Sequence, residues 1–593
     1  MTDYKAPVRD IRFALDHIIG YEDLTAVPAF AEATPDFVAT VLEEAGKFTA
    51  EVLAPLRRSG DQEGARIENG QVRTASGFAD AYRQYYEAGW NGMSLPPDVG
   101  GQGLPLVLAS AMQEMISSAN MAFGLCPLLS QGAVSALMAH GSKELQDIYL
   151  PKLVSGEWTG AMDLTEPQAG SDVGALRTKA ERHADGTYRI TGQKIFITYG
   201  DHDMAENIVH LVLARLPDAP AGTKGISLFL VPKYLVNPDG SLGQRNDMRP
   251  VSLEHKMGIH ASPTCVMSFG DNGACVGYLI GQENQGMRSM FTMMNHARLN
   301  VGIQGIGQAE LAGQQAVDYA RQRIQGKPMG AADAKAPIIE HADIRRMIYA
   351  IKSQVEAARA LALLNAKAID LAHYGADAEA RAKYQGLADL LTPLTKGYGS
   401  DLGVEAASLA IQVHGGMGFI EETGVAQTLR DARITPIYEG TNGIQALDLI
   451  GRKLDMDGGV HWQALFDEMD AFIRSLPGDD LRTPLASALK TLREVTDWVV
   501  RTKPQNMRAA TAGATPYLRL FAMMVGGYLL AKGAVAAAAQ LQQAGADAAY
   551  LKARIAMARF FMTQLLPQAV ALAPAITGGD EVLFAIDADQ FAA

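Results

Sequence analysis

The segment from Met162 to Gly273 breaks the texture of this chain, and that break limits the folds open to it. Apolar and polar residues alternate in Tyr188-Arg189-Ile190-Thr191 and Ile195-Phe196-Ile197-Thr198, and Ile208 to Ala214 and Ile226 to Val231 also read as strands. A period of two marks a half-buried strand. Asp185-Gly186 separates two such runs, a strong hairpin signal. Before this segment the period is helical: Phe37-Val38-Val41-Leu42, Leu108-Met112-Met115-Ile116, Val134-Leu137-Met138. It turns helical again from Asn284 to Leu454, where Ala and small residues predict a bundle. Past Asp455-Met456-Asp457-Gly458-Gly459 four or more further helices are expected, with a linker around Gly513 to Pro516. The expected fold is mainly α with a central small β-barrel or sheet domain, in the order α-β-α, plus an additional C-terminal α domain. The expected boundaries are 1–35 for an N-terminal extension, then 36–158, 159–279, 280–455 and 460–593.

Bulk properties narrow the function. A chain of 593 residues with 48% hydrophobic and 20% charged residues suits a soluble protein of several domains. A net charge of −13 argues against a nucleic-acid binder. Three cysteines (Cys126, Cys265, Cys275) make no disulfide framework, and their spacing fits no zinc motif. A reducing compartment follows, and the expected location is cytoplasmic. The N-terminus lacks the basic-then-apolar order of a secretory signal. The apolar run Leu520 to Ala531 is about half of the roughly 20 residues a membrane helix needs, so a buried helix is expected and no stable membrane insertion. No Gly-x-Gly-x-x-Gly, phosphate-binding loop, Gly-x-Ser-x-Gly or His-Glu-x-x-His occurs. Gly302, Gly305 and Gly307 lie inside a helical pattern, where small residues let helices pack closely.

Four segments carry chemistry. In Ile437-Tyr438-Glu439-Gly440-Thr441-Asn442 a carboxylate precedes a glycine that permits a sharp turn, and Thr441 or Asn442 can cap a following helix. An acid there is a candidate general base. Leu164-Thr165-Glu166-Pro167-Gln168-Ala169-Gly170-Ser171-Asp172 offers backbone N–H groups and a hydroxyl, although by itself it reads more plainly as a Pro-Gly turn. Phe196 beside Thr198 can stack on a planar ring and bond its edge, or simply be core. Gln412-Val413-His414-Gly415-Gly416-Met417-Gly418 ends a helix and lets backbone approach a ligand. His414 reads as structural.

Together these segments, with Gly192-x-Lys194-x-x-Ile197-Thr198 and Lys256-Met257-Gly258, resemble the acyl-CoA dehydrogenase family over about 70% of the chain. The long C-terminal region and the opening Tyr4-Lys5-Ala6-Pro7-Val8-Arg9-Asp10 resemble the extended subgroup that includes 3-methylmercaptopropionyl-CoA dehydrogenases. The resemblance implies FAD, an acyl-CoA substrate, electron-transferring flavoprotein as acceptor and a homo-oligomer, expected to be a dimer. It implies flavin or substrate contacts for Leu164, Thr165, Gly170 and Ser171, and a flavin face built from Phe196, Ile197 and Thr198. Most relatives carry Trp at the Phe196 position. Gln412, Gly415 and Gly416 match an ADP contact across subunits. Arg323 matches a pyrophosphate-binding Arg, in a segment one residue shorter than the usual Arg-x-x-Phe-Gly. Thr441 and Gly443 match further FAD contacts. Asn295 and Arg298 match a pair that meets the CoA-bearing chain, with Tyr438 and Gly440 also at the substrate. The family's alternative base position is Ala297 here, which leaves Glu439. The implied reaction is α,β-dehydrogenation of an acyl-CoA to the trans-2-enoyl-CoA. 3-(Methylthio)propanoyl-CoA and short- to long-chain fatty acyl-CoAs are the candidate substrates. The alternatives are an acyl-CoA oxidase and a catalytically silent assembly protein on the same fold.

Overall fold

The alternating segment folds as a sheet: Tyr188–Thr198 buries alternate residues, while Asn207–Arg215 and Ile226–Pro232 are apolar enough to be buried throughout. In the computed structural model, residues 4–330 and 335–592 are described, apart from the side chain of Asn295. They divide into a β-bearing unit, Lys47–Leu104 with Ala119–Ala297, and a helical unit, Met1–Gly46, Pro105–Ser118 and Arg298–Ala593.

In the β-bearing unit an eight-stranded sheet runs Met248–Leu253, Thr264–Phe269, Tyr188–Thr198, Val276–Ile280, Ile226–Pro232, Asn207–Arg215, Trp158–Asp163, with Lys179–Arg182 pairing to Tyr188–Thr198 and Asn207–Arg215. Strand Asn207–Arg215 is buried on both faces. Its Val209, Leu211 and Leu213 join a core with Trp158, Leu228 and Met290. Its Ile208, Val212 and Ala214 join another with Ile190, Ile197 and Phe229. Each such aliphatic side chain contributes about 1.5–3 kcal/mol on burial. The hairpin across Asp185-Gly186 is present, with Arg182 opposite Tyr188. Two runs read as separate strands, 188–191 and 195–198, are one strand. That strand carries a bulge: Cys265 faces Ile197 while Met267 faces Lys194, so Ile195 and Phe196 oppose the single Val266. A second hairpin, Arg66–Glu68 with Gln71–Arg73, was not read from the helical spacing around it. Its turn is Asn69-Gly70, both at positive φ, a strong short hairpin signal in its own right.

In the helical unit the long helices are Gly286–Gln322 (from Arg298 onward), Ala342–Tyr374 and Ala378–His414. Gly302 and Gly305 serve close packing as expected. A Cβ on Gly305 would lie 2.1 Å from the Gly399 carbonyl, and one on Gly302 would lie 2.5 Å from that of Thr395. The C-terminal region supplies Val460–Ser475, Asp479–Thr502, Ala514–Gln540 and Ala548–Phe560. The expected linker at 513–516 is instead a break at Gly513 alone. Pro516 sits in the first turn of Ala514–Gln540, where its missing N–H removes no helical bond. The N-terminal segment is tied down: Lys367 Nζ donates to the carbonyls of Ile19 (2.6 Å) and Gly20 (2.7 Å).

Three stretches, Leu106–His140, Ala514–Gln540 and Ala548–Thr577, are long and apolar enough to cross a membrane by length and composition. The second extends well beyond the uninterrupted apolar run 520–531. Its most apolar 18-residue stretch is nonetheless 83% buried within the protein, as expected of a core helix.

Candidate active site

Glu439 stands on a loop that the chain closes tightly. Helix Val425–Ala432 ends, Ile437 and Tyr438 N–H groups donate to the Ile434 carbonyl, and Asn442 N–H donates to the Pro436 carbonyl (3.0 Å). Glu439 (φ 56°) and Gly440 (φ 83°) are successive left-handed residues. For a glutamate that conformation is strained, and its surroundings must hold it. Thr441 Oγ1 then accepts from Ile444 N–H and caps helix Asn442–Gly451, as anticipated. The Glu439 backbone N–H has no acceptor among the described residues.

The carboxylate is half-buried. Loss of solvent raises its pKa to about 7, against the pull of Arg298 and Lys396. Arg298 is itself buried, 3.7 Å from Asp448, and its Nε has no partner among the described residues. A Cβ on Gly440 would lie 3.9 Å from Arg298 Nη2 and 2.8 Å from Gln445 Nε2. Tyr438 donates its hydroxyl to Gln304 Oε1. The fold therefore brings together Glu439, Tyr438, Gly440, Thr441, Gly443 and Arg298. It also adds two residues that no motif flagged, Lys396 and Gln445. Lys396 is fully buried, and a lysine within helical spacing carries no sign of that fate.

Elsewhere in the helical unit, Gln412, Gly415 and Gly416 are exposed at the end of Ala378–His414, and nothing lies within 4 Å of a Cβ built on either glycine. His414 stacks on Tyr319 at 4.3 Å, which makes it structural as read. Tyr319 is four residues from exposed Arg323, whose guanidinium donates to Gln325 Oε1 (3.2 Å).

In the β-bearing unit the loop after strand Trp158–Asp163 is held by Glu166. Its carboxylate accepts from Lys194 Nζ (2.8 Å), Thr178 Oγ1 (2.6 Å) and the N–H groups of Arg177 (2.7 Å) and Thr178 (3.0 Å). Lys194 Nζ also donates to the Leu164 carbonyl, and Ile195 N–H to that of Thr165. Burial pushes the Glu166 carboxyl up, but Lys194 and these donors outweigh it and hold it at about 2. This frame presents Gly170 and Ser171 to the outside, with open space beside Gly170. Glu166 and Lys194 were quoted within motifs but given no role; their spacing of 28 residues carries no sign that they pair.

The bulge decides the neighbouring strand. Phe196 takes φ 60° and is 59% exposed, so it is not core. Ile197, expected with Phe196 in the segment against the flavin, is buried in the sheet core; the extra residue re-aims both side chains. Only its backbone is left to face a ring. Thr198 is half-buried. Of the expected pair 295 and 298, the Asn295 side chain lies outside the described residues.

Lys194→Met is expected to cost about 3–5 kcal/mol of stability at pH 7 by chemical denaturation, because it strands a buried carboxylate. In the wild type the Glu166 contribution is complete above its ordinary pKa and fades as pH falls from about 4.5 toward 2.

Family profiles match about two thirds of the chain: acyl-CoA dehydrogenase N-terminal domain over residues 38–157, middle domain over 161–272 and C-terminal domain over 284–454. The chain belongs to the acyl-CoA dehydrogenase family. A further profile, acetyl-CoA dehydrogenase C-terminal like, covers 465–587. The chain is 48% identical to the 3-methylmercaptopropionyl-CoA dehydrogenase of Ruegeria pomeroyi, over 98% of this chain and 99% of that one. It is 37% identical to a butyryl-CoA dehydrogenase of Syntrophomonas wolfei, over 95% of each. The structure of Caenorhabditis elegans ACDH-11 in complex with C11-CoA shares the fold, at a TM-score of 0.80 and 20% identity, covering 100% of this chain and 96% of that one. This acyl-CoA dehydrogenase is thus mainly α with a central sheet and an added C-terminal helical region, as expected.

Proposed function

We propose that the protein is an FAD-dependent acyl-CoA dehydrogenase that converts an acyl-CoA to its trans-2-enoyl-CoA, with Glu439 as base and 3-(methylthio)propanoyl-CoA as preferred substrate. The observation that carries it is the Glu439 carboxylate, held at left-handed φ with a pKa near neutrality. A carboxylate of ordinary pKa, about 4.3, is too weak a base for a carbon acid. At about 7 it is both basic enough and substantially ionised.

In the β-bearing unit, Thr165, Ser171 and Thr198 supply hydroxyls and Phe196 an exposed aromatic face for a flavin ring. In the helical unit, Arg323 supplies a guanidinium, and Gln412, Gly415 and Gly416 an amide and bare backbone, for the ADP end of a neighbouring subunit's FAD. An exposed aromatic, open space beside three glycines and the unpaired Nε of buried Arg298 are the features that fit such ligands. FAD, when bound, accepts the β-hydrogen together with its electron pair. Glu439 takes the α-proton on its carboxylate. Its free backbone N–H is a donor for the thioester carbonyl, which makes that proton acidic; a donor fixed beforehand loses nothing to reorganisation. Gln445 reaches toward the Glu439 and Gly440 carbonyls (3.5 and 3.4 Å), which orients both peptides. Arg298 offers a buried cation to the CoA-bearing chain.

The substrate reading is supported by the identity of 48% with the Ruegeria protein. A homodimer in the cytoplasm, with electron-transferring flavoprotein as acceptor, completes it. Three buried free cysteines suit a reducing compartment. Steady-state kinetics on acyl-CoAs from C3 to C12 and on the methylthio ester test the substrate. The methylthio ester is expected to give the highest kcat/KM, and a tenfold preference for a longer chain would overturn that choice. Turnover with the flavoprotein acceptor should exceed peroxide formation; the reverse identifies an oxidase.

A further inference from the structure

Lys396 is fully buried, yet no carboxylate lies within ion-pair distance of it among the described residues. Its Nζ donates to Asn442 Oδ1 at 2.8 Å. Asn442 is the first residue of helix Asn442–Gly451. Its Nδ2 donates to the Gly397 carbonyl (3.2 Å) and to Asp401 (2.7 Å), and its backbone N–H closes the loop onto Pro436. One turn of helix Ala378–His414 thus grips the end of the loop that carries Glu439. The charged and titratable groups around that carboxylate are Arg298 from Gly286–Gln322, Lys396 and Asp401 from Ala378–His414, Asp448 and Arg452 at Asn442–Gly451, and Tyr438 in the loop. Asp448 answers Arg298 and Arg452. Of these three cations, Lys396 is left without an ion-pair partner among the described residues.

We propose that Lys396 is a positioning residue for the base: it anchors the loop through Asn442 and holds a positive charge toward the Glu439 carboxylate. The inference rests on Glu439 being the base. Burial lowers the Lys396 pKa to about 7, against Asp401 and Glu439. Its ammonium therefore exists in the same pH range in which Glu439 ionises, and each charged form favours the other.

The test uses FAD-loaded full-length enzyme labelled with carbon-13 glutamate. The Glu439 carboxyl is titrated by infrared difference spectroscopy, its band assigned by loss in E439Q, alongside the pH profile of kcat. In Lys396→Met the titration and the acidic limb of kcat are expected to move up by about one pH unit or more. Lys396→Gln, which keeps a donor without the charge, should move them likewise and serves if the Met variant does not fold. Lys396→Arg should restore the wild-type position. Asn442→Ala, which releases the end of the loop, should lower kcat at least tenfold at every pH. A merely structural lysine would lower kcat evenly, so an unmoved titration in both charge-free variants overturns the proposal, as does wild-type kcat in Asn442→Ala. If E439Q itself turned over normally, the base assignment would fail. If E439Q is inactive and the lysine variants titrate like wild type, only the role of Lys396 fails.

Discussion

Glu439→Gln is expected to remain yellow and FAD-bound, and to lose turnover by about 10²–10⁴. The amide is nearly the size of the acid, so the left-handed turn, the Thr441 cap and the Asn442 N–H bond to Pro436 all survive. What disappears is the one group in the loop able to take a proton near neutral pH. The free N–H of residue 439 and buried Arg298 stay in place, so acyl-CoA binding should weaken far less than kcat. In the wild type, kcat should rise with pH through about 7 as the carboxylate ionises, and this limb should vanish in the variant. Stopped-flow bleaching of the flavin by acyl-CoA measures the chemical step directly. Bleaching at more than about a tenth of the wild-type rate would sink the assignment.

The second large effect concerns stability. Arg359→Met is expected to cost about 5 kcal/mol or more at pH 7, enough to threaten folding of the helical unit. Arg359 is only 1% exposed. Its guanidinium bonds Glu114 (Nε to Oε1, 2.9 Å) on Leu106–His140 and Glu310 (Nη2 to Oε2, 2.8 Å) on Gly286–Gln322. Burial raises the Glu114 carboxyl against the pull of Arg359. Glu310, also pushed up by burial, is held at about 2 by Lys352 and Arg359. Without the arginine Glu114 loses its cation while Glu310 keeps only the pull of Lys352, so proton uptake by this buried pair is favoured. The deficit should therefore shrink as pH falls from 7 toward 5, whereas a simple packing defect would be flat. Glu114→Gln and Glu310→Gln added together to Arg359→Met should recover most of the loss. Denaturation midpoints at the two pH values, for the single and the triple variant, separate these cases.

Much of this was legible in the chain itself. Period-two runs and Asp185-Gly186 announced the sheet because side-chain direction alternates along any strand, whatever surrounds it. Gly302 and Gly305 announced a close helix contact because only a missing side chain admits another backbone at that distance. Thr441 announced a cap because that property belongs to a few adjacent residues. The Asn69-Gly70 hairpin was equally local and was hidden only by the helical spacing around it.

The rest depended on partners far apart in sequence. Ile197 and Phe196 exchange the faces that simple alternation assigns, because a bulge against Val266 inserts one residue, and only the opposing strand fixes where a bulge falls. Glu166 meets Lys194, and Arg359 meets Glu114 across 245 residues, through packing that no spacing encodes. The unbroken apolar run 520–531 did not report the full length of Ala514–Gln540, since a helix includes polar and small residues that packing accepts.

The order of elements and the family were determined by the sequence alone, since each is written in neighbouring residues or in a repeating period, and the proposed base Glu439 was nominated there by its match to a family motif. The proton affinity of that base, its buried cations Arg298 and Lys396, and the outward turn of Phe196 were decided only by tertiary structure. The reason is physical: the loss of water and the approach of a charge depend on which distant helices and strands close around a side chain, and no local pattern carries that information.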